Sequence, residues 1–158
     1  MSKFQGFMLA AVLAVGGLAA DGYAHPPKTV ACNHTRDEVI NGDVDKQHLV
    51  LTGRVGRLVL KGKVDGQSVL DLCGLVADKI VIEGRVDGQS QVLIGTVGDV
   101  HIGDKLDGQS TVNVARCRNF YVGGKIDGGR RTVVTVNYTG TATVREVKDS
   151  SATFNKVK

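Results

Sequence analysis

The chain has few of the aromatic side chains that commonly hold sugars and bases. It contains no Trp, three Tyr and four Phe, and Phe4, Phe7 and Tyr23 precede residue 25. Because sugars and bases are commonly held on aromatic faces, a stacking site is not expected. No nucleophile and base stand in a catalytic pattern, so we expect a non-catalytic protein without metal or cofactor.

Neither sign of charge dominates. Lys and Arg number 20 against 16 Asp and Glu, for a net charge of +4. The basic residues are spread along the chain with Asp beside them, which is typical of a solvated mixed surface and not of a nucleic-acid footprint. A nucleic-acid partner is therefore not expected.

The first 24 residues have the pattern of a secretory leader. Lys3 precedes an apolar run at 7–20, and Gly22 and Ala24 are small residues placed as at a cleavage site. The run is about 14 residues long, shorter than the roughly 20 of a membrane span. We predict a cleaved signal peptide at 1–24, no membrane span afterwards, and an extracellular or periplasmic protein.

A repeated phrase organises the rest of the chain. A basic residue, an aliphatic residue, Asp and Gly recur in that order at 63–66, 85–88, 105–108 and 125–128. Weaker copies begin at Asp43 and Glu146. The starts lie about 20 residues apart, a length typical of one solenoid turn.

Apolar residues recur at fixed places between these phrases. The predicted inward columns are Val44, Val64, Val86, Leu106, Ile126 and Val147; Val50, Leu70, Val92 and Val112; Thr52, Leu72, Ile94 and Val114; Val55, Leu75, Val97 and Cys117; Leu58, Ile80, Val100 and Phe120; Leu60, Ile82, Ile102 and Val122. Neighbouring columns are often two residues apart, which is the spacing of a strand. In this register two inserted residues fall near Ala77 and Asp78, and Leu51, Asp71, Leu93 and Asn113 point outward.

The pattern predicts an all-β, single-stranded parallel β-helix of five or six coils, each with about three short strands. Uneven sides and a period near 20 residues favour a right-handed coil. The expected organisation is the leader at 1–24, an N-terminal cap segment at 25–42 and the β-helix domain at 43–158.

Valine-rich, glycine-punctuated coils without catalytic residues resemble those of bactofilin-like polymer-forming proteins. The resemblance implies that such a rod can polymerise end to end. Bactofilins are cytoplasmic and lack a signal peptide, so their cytoskeletal role is not carried over to this chain.

Two outward columns are the candidate binding residues. They are the acidic Asp45, Asp65, Asp87, Asp107 and Asp127 and the basic Lys63, Arg85, Lys105 and Lys125. Carboxylates on successive coils suit Ca²⁺, and the basic column suits an acidic glycan. Asp before Gly is also a favoured turn pair, so a turn with an ion-pair ladder is the interpretation that we prefer.

Three cysteines, Cys32, Cys73 and Cys117, leave at least one thiol unpaired within the chain. Cys73 and Cys117 are predicted to lie two coils apart, about 9.6 Å, which is too far for a disulfide. We expect Cys117 to be a buried column residue and leave a Cys32–Cys73 bridge open.

The expected function is a secreted structural or adhesive scaffold of the cell envelope or extracellular matrix, with self-assembly or an envelope component as partner. The alternative is a module that binds Ca²⁺ or an acidic glycan through the two ladders.

Overall fold

A computed structural model describes residues 25–128, 131–148 and 151–158. The chain forms a parallel β-solenoid of about six turns, which confirms the predicted fold class. The predicted leader, residues 1–24, lies outside the described residues. Within them, no helix has the length and apolar character needed to cross a membrane.

The described residues form fourteen strands. Their bounds are β1 Pro27–Asn33, β2 Glu38–Ile40, β3 Val44–Asp45, β4 His48–Leu60, β5 Val64–Asp65, β6 Val69–Leu72, β7 Leu75–Ile82, β8 Gln91–Thr96, β9 Asp99–Ile102, β10 Thr111–Cys117, β11 Asn119–Ile126, β12 Val133–Tyr138, β13 Ala142–Val147 and β14 Ser151–Lys156.

One parallel sheet of 12 strands covers two sides of the solenoid. The long strand β4 belongs to both sides. Its first half pairs with β1 and β6 on what we call face A, and its second half pairs with β2 and β7 on face B. Strands β8, β10, β12 and β14 continue face A, while β9, β11 and β13 continue face B.

The third side is a corner of very short pairings. Strands β3 and β5 pair there, and single bridges join Val64 to Val86, Val86 to Leu106, and Leu106 to Ile126. The last of these aliphatic residues pairs in turn with Val147. The predicted column from Val44 to Val147 is therefore confirmed along its whole length.

The apolar core runs along the axis as stacked side chains. On face B the predicted columns through Leu58 and Leu60 are confirmed, and both continue into β13 as Ala142 and Val144. The largest fully buried side chain is Phe120. Because like residues stack on successive coils, apolar surface is removed from water inside the solenoid, and no separate sheet or helix has to pack on it.

The predicted register of the first face A strand is wrong by one residue. Leu49, not Val50, pairs with Leu70. Leu49 and Leu51 are buried, whereas Val50 and Thr52 are half-exposed on the outer surface. Leu51 is thus an inward residue, contrary to the prediction. Because successive side chains of a strand point to opposite faces, a one-residue error exchanges the two faces completely.

The second coil also differs from the predicted register. Val55 pairs with Ala77, so Ala77 takes the column place that was predicted for Leu75. Leu75 is buried beside it, opposite Gly53. Toward the third coil, the two extra residues fall between Leu72, which pairs with Ile94, and Lys79, which pairs with Asp99, in agreement with the predicted place near Ala77 and Asp78. The pairing of the flanking strands is intact.

The cysteines occupy three different environments. Cys117 is 1% exposed in its column, as predicted, and Cys32 is also buried, whereas Cys73 is exposed at its turn. All three thiols are free. Burial, and secondarily the Asp99 charge, raises the pKa of Cys117 to about 11, so it behaves as a small apolar residue.

We expect Val92→Asp to abolish cooperative unfolding. The new carboxylate would be buried between Leu70 and Val112, at a cost of several kcal/mol. Gln91→Asp is the matched control, because residue 91 precedes it on the same strand and is half-exposed. Circular dichroism melting compares the two, and similar melting curves would show that Val92 does not point inward.

Candidate functional site at the Asp-Gly corner

The candidate site lies where each coil leaves the third side and turns toward face A. Val64–Asp65 and its equivalents form the short pairings of that side, and Gly follows at once. The glycines have positive φ angles, for example +67° at Gly66 and +70° at Gly108. Only Gly adopts this conformation without strain, which explains why the Asp-Gly pair recurs at four successive corners.

Each repeat aspartate has one oxygen committed to its own turn. The backbone N–H groups of Gly66, Gly88, Gly108 and Gly128 donate to Oδ1 of the preceding aspartate at 2.6–2.7 Å. This bond fixes the carboxylate against the turn, so that its second oxygen points to the basic residue of the same coil.

The second oxygen of each of these carboxylates receives that cation. The Nζ atoms of Lys63, Lys105 and Lys125 lie 2.7, 2.5 and 2.9 Å from Oδ2 of the aspartate two residues later. In the remaining coil, Arg85 Nε lies 3.2 Å from Asp87 Oδ2, and its Nη2 lies 4.0 Å from Asp65. The structure therefore brings together eight of the nine predicted site residues as four ion pairs.

These pairs shift the ionisation of their members. The hydrogen bond from Lys63, with that from the Gly66 N–H, holds the pKa of Asp65 below its usual range. The pKa of Lys63 is raised in return by its hydrogen bond and charge interaction with Asp65. Lys105 with Asp107 and Lys125 with Asp127 show the same opposite shifts in pKa. These three carboxylates therefore stay ionised, and the neighbouring lysine balances the negative charge of each.

The first coil departs from this arrangement. Asp45 pairs in register with Asp65, but the residue two places earlier is Asp43 instead of a cation. Lys46, with a φ of +47°, stands where the other coils have Gly. No ion pair of Asp45 is formed within the described residues, so it is the one predicted site residue that the ladder leaves without a cation.

Two further columns at this corner were not identified from the sequence. Gln67, Gln89 and Gln109 form a chain of side-chain amide hydrogen bonds of 3.1 and 3.4 Å. Ser68, Ser90, Ser110 and Thr132 are fully buried. The Gln-Ser pair that follows Asp-Gly in three repeats could have identified both columns in the sequence.

The buried hydroxyl groups close the turn from inside. Ser68 Oγ donates to the backbone carbonyl of Asp65 at 2.5 Å, and Ser90 Oγ donates to that of Asp87. A buried hydroxyl costs free energy unless it is hydrogen-bonded. The hydroxyl groups of Ser68 and Ser90 therefore serve the turn, whereas that of Ser110 is buried without a hydrogen-bond partner.

Face B carries an outward column of a different kind. Val39, Val59, Val81, His101 and Tyr121 pair in register along it. The rings of His101 and Tyr121 lie 4.6 Å apart, tilted by 36°. Burial, followed by the charge of Lys79, lowers the pKa of His101. This apolar stripe, also missed from the sequence, holds no convergent polar groups.

The ladder does not form a cluster of metal ligands. Within the part of the chain that the structure describes, no three His, Cys, Asp or Glu residues converge on one point. Each carboxylate of the four inner coils faces an ammonium or guanidinium group. The arrangement fits a turn closed by an ion pair.

No family model, curated protein or solved structure matches the chain. The solenoid fold supports the predicted β-helix repeat, and no family match supports the resemblance to bactofilins.

We expect Asp87→Asn to lower the free energy of unfolding by about 0.5 kcal/mol or less, the range of exposed ion pairs. Asn keeps an acceptor for the Gly88 N–H, so the turn is retained. Gly88→Ala should cost more, because the φ of +67° there disfavours a side chain. Urea unfolding measures both, and a loss of several kcal/mol for Asp87→Asn would indicate a ligand-binding ladder.

Proposed function

We propose that the protein is a secreted, non-catalytic structural rod of the cell envelope or extracellular matrix that assembles through its ends. The observation that carries this proposal is that both ends of the solenoid expose strand edges over partly open apolar core. We call the free edge of β1, β2 and β3 the head, and that of β13 and β14 the tail.

The head is hollow. A cavity of about 330 Å³ opens there, lined by the core side chains of Val30, Ile40, Val44, Leu49 and Leu51. Lys28, Glu38 and Asp43 stand around its mouth. The second edges of β1, β2 and β3 have no partner strand within the described residues.

The tail is mostly apolar. The inward residues of its two strands are Ala142, Val144, Val147, Ala152 and Phe154, together with Lys156 at the end of β14. None of them is fully buried, and Val147 is 48% exposed. Among the described strands, β13 and β14 likewise pair on one edge only.

Open edges of this kind favour assembly. A free strand edge is a template for pairing with another chain, and solenoids need polar terminal repeats to remain separate molecules. In the residues described, the tail has one such charged inward residue, Lys156, and its other inward residues are apolar. A second copy placed in line on β14 would pair the free backbone groups of that strand and cover its apolar side chains.

The location follows from the predicted leader. Lys3, the apolar run at 7–20 and the small residues Gly22 and Ala24 support export of the chain. A rod outside the cytoplasm would either build a matrix by itself or attach to an envelope component.

The binding-module alternative, for Ca²⁺ or an acidic glycan, has less support. Four of its five carboxylates already have lysine or arginine partners, and its four cations already face carboxylates. A ligand of either sign would first have to break an ion pair in each of those four coils that it contacts.

We expect millimolar Ca²⁺ to leave the melting temperature unchanged within about 1 °C, as Mg²⁺ does. A ligand that binds the folded state raises the melting temperature by mass action, so a rise with Ca²⁺ but not Mg²⁺ would favour the cation module. Differential scanning fluorimetry of the purified protein makes the measurement.

The assembly itself is tested by negative-stain electron microscopy and sedimentation velocity across a range of concentrations. We expect rods that lengthen with concentration in steps of about 30 Å, six coils at about 4.8 Å each. Val144→Lys places a charge in the exposed tail core and should prevent lengthening. Thr143→Lys, on the outer face of the same strand, is the control and should assemble. Single particles at every concentration would contradict the proposal.

A further inference from the structure

We propose that the outer surface of face A is a docking site for a second copy of this chain, with the two rods side by side and antiparallel about a two-fold axis along β8. This lateral contact goes beyond the proposed assembly through the ends and does not depend on it.

The outer surface of face A is almost free of charge. Two outward columns cross all seven of its strands, one from Pro27 to Ser151 and the other from Thr29 to Thr153. Of their fourteen residues, Asp71 is the only acid and none is Lys or Arg. Charged residues make up 23% of the chain, so they are depleted on this surface.

The other titratable side chain on these columns is that of His48. Burial lowers its pKa, against a smaller opposite influence of the Asp71 charge, so the ring is uncharged at neutral pH. Asp71 is half-buried, and its Oδ1 accepts the backbone N–H of Cys73 at 2.9 Å. Each copy thus presents one negative charge on these two columns.

The outer surface of face B is charged instead. Arg57, Lys79 and Asp99 pair in register along it. Arg57 also forms an ion pair of 2.7 Å with Asp37, and Arg118 one of 2.8 Å with Asp99. Depletion of charge is therefore specific to face A, and charged residues are depleted at the centres of protein interfaces.

Face A is large enough for a specific, reversible contact. Seven strands spaced by about 4.8 Å span about 29 Å along the axis, and the outward residues of each strand cover about 15 Å across it. With the side chains at the rim, the patch measures roughly 500 Å² per copy. Two copies would then bury roughly 1,000 Å², the lower limit of specific interfaces.

The position of β8 determines how two such faces fit. It is the fourth of the seven strands, so a two-fold axis along it opposes all seven strands of one copy to those of the other. Strand β6 then lies over β10 of the second copy, β4 over β12, and β1 over β14. The strands of the two sheets stay aligned, a common arrangement when sheets pack face to face about 10 Å apart.

The outward side chains are complementary in this arrangement. Leu93 lies on the axis and meets Leu93 of the second copy. Asp71 lies one strand before Leu93 and Asn113 one strand after it in the same column. Each Asp71 therefore faces the Asn113 amide of the other copy, which can donate a hydrogen bond to it. His48 likewise faces Val133, which is 39% exposed in the single chain.

A parallel arrangement lacks this complementarity. A two-fold axis along the solenoid places each coil beside the same coil of the second copy. The Asp71 carboxylates then either meet each other or lie over Val69, and neither neighbour donates a hydrogen bond to them. Because like charges and unpaired buried charges are both unfavourable, the single carboxylate of face A favours antiparallel rods.

A substitution on the axis tests whether face A is the interface. Leu93→Lys brings two ammonium groups together at the centre of the contact and should raise the dissociation constant of the dimer by about tenfold or more. His101→Lys is the matched control, because it adds the same charge to a half-exposed outward residue of the next strand, on face B. It should leave the dissociation constant unchanged.

The arrangement of the copies is tested at residue 113. Asn113→Lys places an ammonium group opposite Asp71 of the second copy and should lower the dissociation constant by about threefold to tenfold, the scale of one exposed ion contact. Asn113→Asp places a carboxylate there and should raise it by a similar factor. In a parallel dimer residue 113 would lie in the same coil as residue 113 of the second copy, so both substitutions would weaken association.

Sedimentation equilibrium gives the dissociation constants, and thermal melting checks that each variant is folded. Each variant is measured with and without Val144→Lys, which is designed to block the ends. If Leu93→Lys dimerises as well as His101→Lys, or if Val144→Lys remains monomeric at every concentration, face A is not an interface. If both substitutions at residue 113 shift the dissociation constant in the same direction, the antiparallel arrangement is wrong. Failure of the wild type to form rods would overturn assembly through the ends, whereas a dimer sensitive to Leu93→Lys would still support the lateral contact.

Discussion

The structure depends on the stacking of inward apolar side chains in columns along the solenoid axis. Each coil has too few residues to bury its own core, so its stability comes from the coils above and below it. Backbone hydrogen bonds between coils and apolar contacts within columns therefore require the same register. This shared requirement explains why the repeat keeps its length along the sides and tolerates the two extra residues of the second coil only between Leu72 and Lys79, where face A passes into face B.

The charged corner is a consequence of the same requirement. A chain that turns about every 20 residues must bring polar backbone to the core boundary at each turn. Asp-Gly with a following Ser satisfies those groups locally, from outside through the Asp65 carboxylate and from inside through the Ser68 hydroxyl. The preceding cation then balances the row of carboxylates that stacking would otherwise bring together. Residues that resemble a ligand-binding array are thus occupied with closing turns.

A terminal coil has a neighbouring coil on one side only, so its inward side chains are covered on that side only. The inward residues differ between the two ends. The head places Lys28 and Glu38 among its inward residues, whereas the tail has one charged inward residue, Lys156, beside apolar ones.

The sequence by itself determined the solenoid, its period, the Asp-Gly corner and most inward columns, because the phrase around Asp65, Asp87 and Asp107 repeats with few changes. Where both alternating sets of residues in a strand are apolar, only the tertiary structure showed which set points inward. Leu49, Val50 and Leu51 satisfy either alternation, and only the pairing of Leu49 with Leu70 shows which two point inward. It also decided that the aspartates face cations of their own coil, since that depends on side-chain positions that a period does not specify.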